Sequence, residues 1–300
     1  MKSMKEKICL ITGADSGIGK AAAKGLAQSG TTLILTARNR VRGERTVHEL
    51  QEATGNKNIH LFLVHLSSQE SIVDLSKEIK EKFERIDILI NNAGAHFTKR
   101  HLTVDGVEAT FAVNYLSRFL LTNLLLDLIN RSKQGRIINV SGEYHRKGKI
   151  NFEDLSLGKD YSAISAVAQS KLADVMFTYS LAEKLKGTNI TVNCMHPGIV
   201  STNIIYSDPD AGTLLKLMYG LFSFFFIPAK KGAETIIYLT ISEEVSKTSG
   251  KYFINKKAVE SSPASYDKIG ADRLWLESEK LISRTKSSVL QSETETNKRK

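Results

Sequence analysis

Three glycines set where an apolar run gives way to a helical pattern are the residues in this chain whose type and spacing most clearly do chemistry. The run ICLIT, Ile8 to Thr12, leads into TGADSGIG, which places Gly13, Gly17 and Gly19 in the turn. Gly13 permits a tight turn, Gly17 lets the backbone approach a bulky anion, and Gly19 lets the following helix lie close to the sheet. Ala14, Asp15, Ser16 and Ile18 complete a loop whose backbone N–H groups, with the positive end of a helix dipole, suit a pyrophosphate. Turns use glycine for many reasons, so the strand–turn–helix setting is what makes the pattern specific. The next apolar run, TLILTA, ends at Ala37 and is followed by Arg38. An NAD site places Asp or Glu there to accept from a ribose hydroxyl, whereas a guanidinium suits a 2′-phosphate. The sequence therefore favours NADP(H) over NAD(H), with an ordinary surface arginine as the plainer reading of Arg38.

The elements that must position this turn follow from periodicity. Strand-length apolar runs occur at residues 8–12, 32–37, 60–64, 87–90, 136–140, 191–195 and 251–254. Between them, residues 17–29, 68–83, 108–130 and 166–186 repeat apolar side chains at helical steps. Runs that are apolar on both faces and alternate with helices imply a parallel sheet covered on both sides. Right-handed crossovers make this an α/β doubly wound Rossmann-type fold of about seven parallel strands. No linker divides it, so residues 1–285 read as one domain. The polar stretch 286–300 reads as a disordered tail.

Composition narrows the function classes. Apolar residues make up 41% and charged residues 25%, ordinary for a water-soluble globular chain. The formal charge of +10 is spread without an aromatic stacking pattern, which argues against a nucleic-acid partner. Cys9 and Cys194 sit in apolar runs and read as buried thiols, and no His/Cys cluster has metal-ligand spacing. Neither a signal peptide nor a transmembrane helix is legible, which favours the cytoplasm. The stretch from Leu214 to Ile227, LLKLMYGLFSFFFI, is too short and interrupted to span a bilayer. It lies in an apolar segment at 203–229 that suits a substrate lid, peripheral membrane contact, or burial in the core or against a homo-oligomeric partner.

With these motifs in view, the chain resembles the short-chain dehydrogenase/reductase family, in its retinol-dehydrogenase-like branch. TGADSGIG has that family's glycine spacing. Asn91-Asn92-Ala93-Gly94, Asn114 in FAVNYLS, Lys171 in QSKLADVMF and His196-Pro197-Gly198 agree with its further motifs. The similarity runs from about Lys5 to Ile282. It implies hydride transfer between an alcohol and a carbonyl, with a hydrophobic ligand such as a retinoid, steroid or lipid aldehyde. It also implies a cofactor cradle that includes Asn92, Ala93, Gly94, Lys171, Pro197, Gly198 and Thr202. Lysine in this family holds the nicotinamide ribose and lowers the pKa of a catalytic tyrosine one helical turn earlier. A serine polarises the substrate oxygen, and the asparagine places a relay water.

The chain departs from that pattern where protons move. Val167 stands one turn before Lys171 in place of tyrosine, and Gly142 stands in place of the serine. His65 replaces the aspartate that accepts from adenine. Valine and glycine offer no proton donor, so conventional turnover is expected to be impaired and the chain could instead be a dinucleotide-binding pseudoenzyme. Tyr144 is the one rescue the spacing allows, because Tyr161 lies nearly three turns from Lys171 and Ser141 is expected to face away from residue 142. His96, His101 and His196 read as loop or packing histidines.

Overall fold

The computed structural model describes residues 4–198, 208–213 and 227–297. Eight strands form one sheet: β1 (Ile8–Ile11), β2 (Thr32–Ala37), β3 (Ile59–Leu63), β4 (Ile88–Asn91), β5 (Gly135–Val140), β6 (Ile190–His196), β7 (Lys251–Ile254) and β8 (Lys257–Val259). Their spatial order is β3-β2-β1-β4-β5-β6-β7-β8. The first seven are parallel, as periodicity predicts. The eighth is a three-residue antiparallel edge strand, turned back through Asn255 and Lys256, both with positive φ. Its residues are exposed, so it carries no apolar signal.

Seven helices matter for the argument: α1 (Gly17–Gln28), α2 (Arg40–Thr54), α3 (Gln69–Lys82), α4 (Ala109–Asn130), α5 (Ala163–Lys184), α6 (Ala229–Ile241) and α7 (Lys268–Asn297). Strand alternation sorts the core into two layers. Leu10, Ile34, Leu89, Ile137 and Val192 face α3, α4, α5 and α7. Cys9, Ile11, Leu33, Leu35, Ile90 and Met195 face α1, α2 and α6. Helix α4 is long and apolar enough by composition to cross a membrane, but it is mostly buried between the sheet and its neighbours, as a core helix is. Helix α7 runs through Asn297, so the stretch from 286, expected to be disordered, is helical up to that residue. Elongating a helix already docked through Leu274 costs far less than nucleating one.

The strand order reverses between β1 and β4. In a doubly wound sheet the crevice beyond the carboxyl ends at such a switch point is where a ligand sits. The candidate residues gather there.

Candidate functional site

The glycine turn is built to leave N–H groups open. Gly13 and Gly17 have φ of +63° and +54°, a region that β-carbons disfavour. A Cβ at Gly13 would lie 2.9 Å from the Ala93 Cα, and one at Gly19 only 2.4 Å from both the Gly13 carbonyl oxygen and Asn92 Nδ2. Gly19 therefore permits close packing of α1 on the turn, as its spacing predicts. Helices α2, α3 and α5 are capped by the side chains of Asn39, Ser68 and Ser162, but Ser16 makes no such bond at α1. The first-turn N–H groups of α1 thus remain for an anion, with the helix dipole behind them.

Neighbouring strands lock this turn. The Gly13 and Ala14 N–H groups donate to Thr36 Oγ1 and the Thr36 carbonyl at 3.4 and 3.2 Å. Asn92 Nδ2 donates to the carbonyls of Thr12 and Gly13 at 2.9 and 3.1 Å. Thr12 Oγ1 accepts from the N–H groups of Asn92 and Ala93, each at 3.0 Å. Thr12, which in the sequence reads as no more than the end of a strand, is the clamp between the glycine turn and Asn92-Ala93. Asp15 pairs with Arg42 of α2 at 3.2 Å, which fixes the loop's outer edge. Arg38 is exposed and, among the described residues, its guanidinium has neither a hydrogen bond nor an ion pair in the fold. His65 is exposed at the end of β3.

Asn114 sits in a π-helical turn, Ala112–Leu116, inside α4. Its side chain is fully engaged. Oδ1 accepts from the Ala95 N–H at 2.7 Å, and Nδ2 donates to the Ala95 carbonyl at 3.0 Å and to Ser170 Oγ at 3.1 Å. It ties the loop after β4 to α5. Pro197 and Gly198 follow β6, with Gly198 at φ +86° against Ile227. Thr202 and most of the apolar segment 203–229 lie outside the described residues.

Lys171 is the centre of a charge cluster that the sequence did not reveal. Its Nζ donates to the Val140 carbonyl at 3.2 Å and lies 3.5 Å from Asp174 Oδ2. Arg118 of α4 reaches the same oxygen at 2.8 Å and donates to the Val140 and Ala93 carbonyls at 2.8 and 2.6 Å. Arg118 and Asp174 are buried. Burial, and then the neighbouring Arg118 charge, push the Lys171 amine down from 10.5 to about 8, against the pull of Asp174. Burial also raises the Asp174 carboxyl, opposed by the two cations. The visible signal was a lone charge inside an otherwise apolar helical stretch, once in SRFLLTNLLL and once in LADVMF.

No described hydroxyl replaces tyrosine beside this amine. Val167 is half-buried one turn earlier on α5. Gly142 has an extended backbone at φ −179°, and a Cβ there would meet only the Lys171 stem, at 3.9 Å. Ser141 is buried and turns its Oγ onto α5, where it donates to the Lys171 carbonyl at 3.0 Å, on the same face of the sheet as Asn139. Tyr161 is committed to the Phe97 carbonyl at 2.8 Å, while Tyr144 is exposed on the 3₁₀ turn Glu143–Lys147. His145 Nε2 accepts from the Ser262 N–H at 3.1 Å, so its Nδ1 carries the proton donated to the Gly142 carbonyl at 2.8 Å. Burial, with the neighbouring His145, Lys171 and Arg146, lowers the His196 pKa against the pull of Glu143, and its Nδ1 is buried without a partner among the described residues.

A doubly wound sheet with an uncapped, glycine-lined helix end at its switch point defines a Rossmann-type dinucleotide fold. Residues 7–210 match the family model described as short chain dehydrogenase. The chain belongs to this oxidoreductase family. It is 39% identical over 290 residues to mouse retinol dehydrogenase 14, covering 93% of this chain and 86% of that protein. Among solved structures, an uncharacterised protein of Mycobacterium paratuberculosis superposes with a TM-score of 0.75 at 28% identity, covering 94% of this chain and 95% of the other. The NADP complex of RhlG from Pseudomonas aeruginosa superposes with a TM-score of 0.65 at 25% identity, over 84% and 97% of the two chains.

Proposed function

We propose that this chain binds NADP(H) and a hydrophobic carbonyl or alcohol in one cleft, and that its alcohol–carbonyl turnover is crippled for want of a proton donor. One observation carries the reading: the first turn of α1 is uncapped and glycine-lined, while Lys171 has Val167 one helical turn before it and Gly142 beside its stem. The residues present fit a dinucleotide. The open N–H groups of α1 would receive the pyrophosphate, Asn92 to Gly94 would line the adenosine side, and Arg38 would take the 2′-phosphate through charge-assisted hydrogen bonds. Lys171 would hold the ribose on the nicotinamide side. When bound, NADP(H) supplies the hydride chemistry. The protein's part would be to deliver or remove a proton at the substrate oxygen, and neither Val167 nor Gly142 does so. The likeness to retinol dehydrogenase 14 supports a hydrophobic ligand, and the RhlG complex supports NADP.

A titration of NADPH fluorescence followed by addition of a lipophilic aldehyde tests this. Saturable binding with little or no oxidation is the expected result, whereas no binding, or turnover at ordinary dehydrogenase rates, defeats it. Arg38→Gln is expected to weaken NADPH binding about 10- to 100-fold, the scale of a lost hydrogen bond to a charged group, while leaving NADH binding nearly unchanged. A second reading, a working NADP-dependent oxidoreductase, is favoured by His196, whose Nδ1 has no partner among the described residues and whose imidazole, with its lowered pKa, could carry the proton. It requires measurable aldehyde reduction that disappears in His196→Gln.

A further inference from the structure

We infer that Lys171 is a nucleophilic amine that captures hydrophobic aldehydes as an imine, in competition with the dinucleotide. This rests on the proposed cleft and adds a covalent ligand class to it.

The charge count comes first. Arg118 and Lys171 share a single oxygen of one carboxylate, Asp174 Oδ2, at 2.8 and 3.5 Å. The Arg118 and Asp174 side chains are only 3% and 1% exposed, so water screens the surplus positive charge poorly. A guanidinium does not give up its proton, so the amine is the group that yields. A lysine that is desolvated and set beside another cation is activated as a nucleophile toward carbonyls. The charged and titratable groups facing it are Arg118 from α4, Asp174 from its own helix and the imidazole of His196 from β6.

Access comes second. The Lys171 side chain keeps 14% of its surface exposed. Gly142 has no side chain to cover the lysine stem, which an added Cβ would touch at 3.9 Å. Ile164, Val167 and Lys171 are spaced by three and four residues, so they form one stripe along α5. Ile164 is 59% exposed and Val167 half-buried, making an apolar track that ends at the amine. The nearest serines are occupied, Ser141 by the Lys171 carbonyl and Ser170 by the Val167 carbonyl. An alkyl chain lying on the track brings a terminal aldehyde to Nζ.

The step balances without redox. The Nζ lone pair adds to the carbonyl carbon while the C=O π pair moves to oxygen. A proton passes from nitrogen to that oxygen, and the resulting carbinolamine loses one water to leave C=N. No electron is gained or lost overall, and hydrolysis reverses the step.

The test uses the full chain with decanal and sodium cyanoborohydride, which fixes an imine as a stable secondary amine, followed by peptide mass mapping. At pH 7 an amine titrating at about 8 has on the order of a hundredfold more neutral form than a surface lysine near 10.4. Modification of the Lys171 peptide is therefore expected at least tenfold ahead of any other lysine, with its rate rising to half-maximum near pH 8, and excess NADPH should protect it. Labelling of Lys171 no faster than surface lysines, or with a midpoint near 10, overturns the inference. These readouts come from the unmodified protein, so they do not depend on a variant folding. Lys171→Arg adds a check, since it keeps the charge and should lose the adduct. The two proposals fail separately. A Lys171 adduct in a chain that does not bind NADPH sinks the dinucleotide reading alone, and NADPH binding without the adduct sinks the imine alone.

Discussion

Restoring the two missing hydroxyl groups is the most informative perturbation of this site. The double variant Gly142→Ser, Val167→Tyr is expected to reduce lipophilic aldehydes with NADPH at least 100-fold faster than the parent chain. The structure leaves room for both changes. Gly142 is extended at φ −179°, which any residue adopts, and a Cβ there sits at ordinary contact distance, 3.9 Å, from the Lys171 stem. Val167 is half-buried, so a tyrosine ring can extend into the cleft without opening the core. It would stand one turn before an amine already in place, held 3.2 Å from the Val140 carbonyl. General acid–base catalysis contributes about 100- to 10,000-fold, equivalent to roughly 2.7 to 5.5 kcal/mol of barrier. Val167→Tyr alone should recover most of this, and Gly142→Ser alone very little, because the serine polarises an oxygen but the tyrosine supplies the proton. The assay follows NADPH absorbance over a panel of aldehydes, with NADPH affinity and Tm measured in parallel. A double variant that folds and binds NADPH like the parent, yet shows no gain, would refute the idea that only proton handling is missing.

Three further outcomes follow from the packing. Gly19→Ala forces a Cβ to within 2.4 Å of the Gly13 carbonyl, so it should cost about 1–3 kcal/mol in urea unfolding and abolish NADPH binding; an unchanged affinity would mean the turn does not hold the cofactor. Asp174→Asn strands the Arg118 guanidinium and should cost about 3–5 kcal/mol, whereas the paired Arg118→Met, Asp174→Leu chain should recover much of that stability by the same assay. At Asp87, burial raises the carboxyl's pKa, but Ser132, Lys7 and the Ile8 N–H together outweigh it and hold the pKa below the usual value. Asp87 therefore adds stability that is fully present above the unfolded-state value near 3.9 and fades as pH falls below it, so acid unfolding of Asp87→Asn should show a flatter pH dependence than the parent.

The parts of this fold legible in the sequence are those where burial acts on both faces. Residues 32–37 and 251–254 match β2 and β7 residue for residue because each centres on buried apolar side chains, Leu33 to Leu35 and Tyr252-Phe253, and is bounded by glycine or polar residues. Helix α2 went unseen because it buries only Gly43, Thr46 and Leu50 in 15 residues, too little for a helical stripe. Its ends are nevertheless written locally, in the Asn39 cap and in Gly55 with φ of +72°. The glycine turn was legible because its geometry admits few other residues. The Arg118–Asp174–Lys171 cluster was not, because each member looks like an ordinary helix charge until α4 and α5 are packed together.

That cluster also ties the loop after β4 to the surroundings of Lys171. Arg118 braces the Ala93 carbonyl, beside the glycine turn, and the Val140 carbonyl, beside the reacting centre, with the same guanidinium that contacts Asp174. The loop after β4 and the charge state of Lys171 therefore share one buried support. A change of side chain at residue 167 leaves these bonds in place, since Val167 enters the hydrogen bonding through its carbonyl, which accepts from Ser170 Oγ. Changing Arg118 would disturb both at once, because it would free the Ala93 carbonyl and remove a charge that lowers the Lys171 pKa, so the amine would keep its proton to higher pH. Arg118 thus joins the Ala93 carbonyl beside the glycine turn to the carboxylate oxygen it shares with Lys171, a link in which the side chains of residues 142 and 167 take no part.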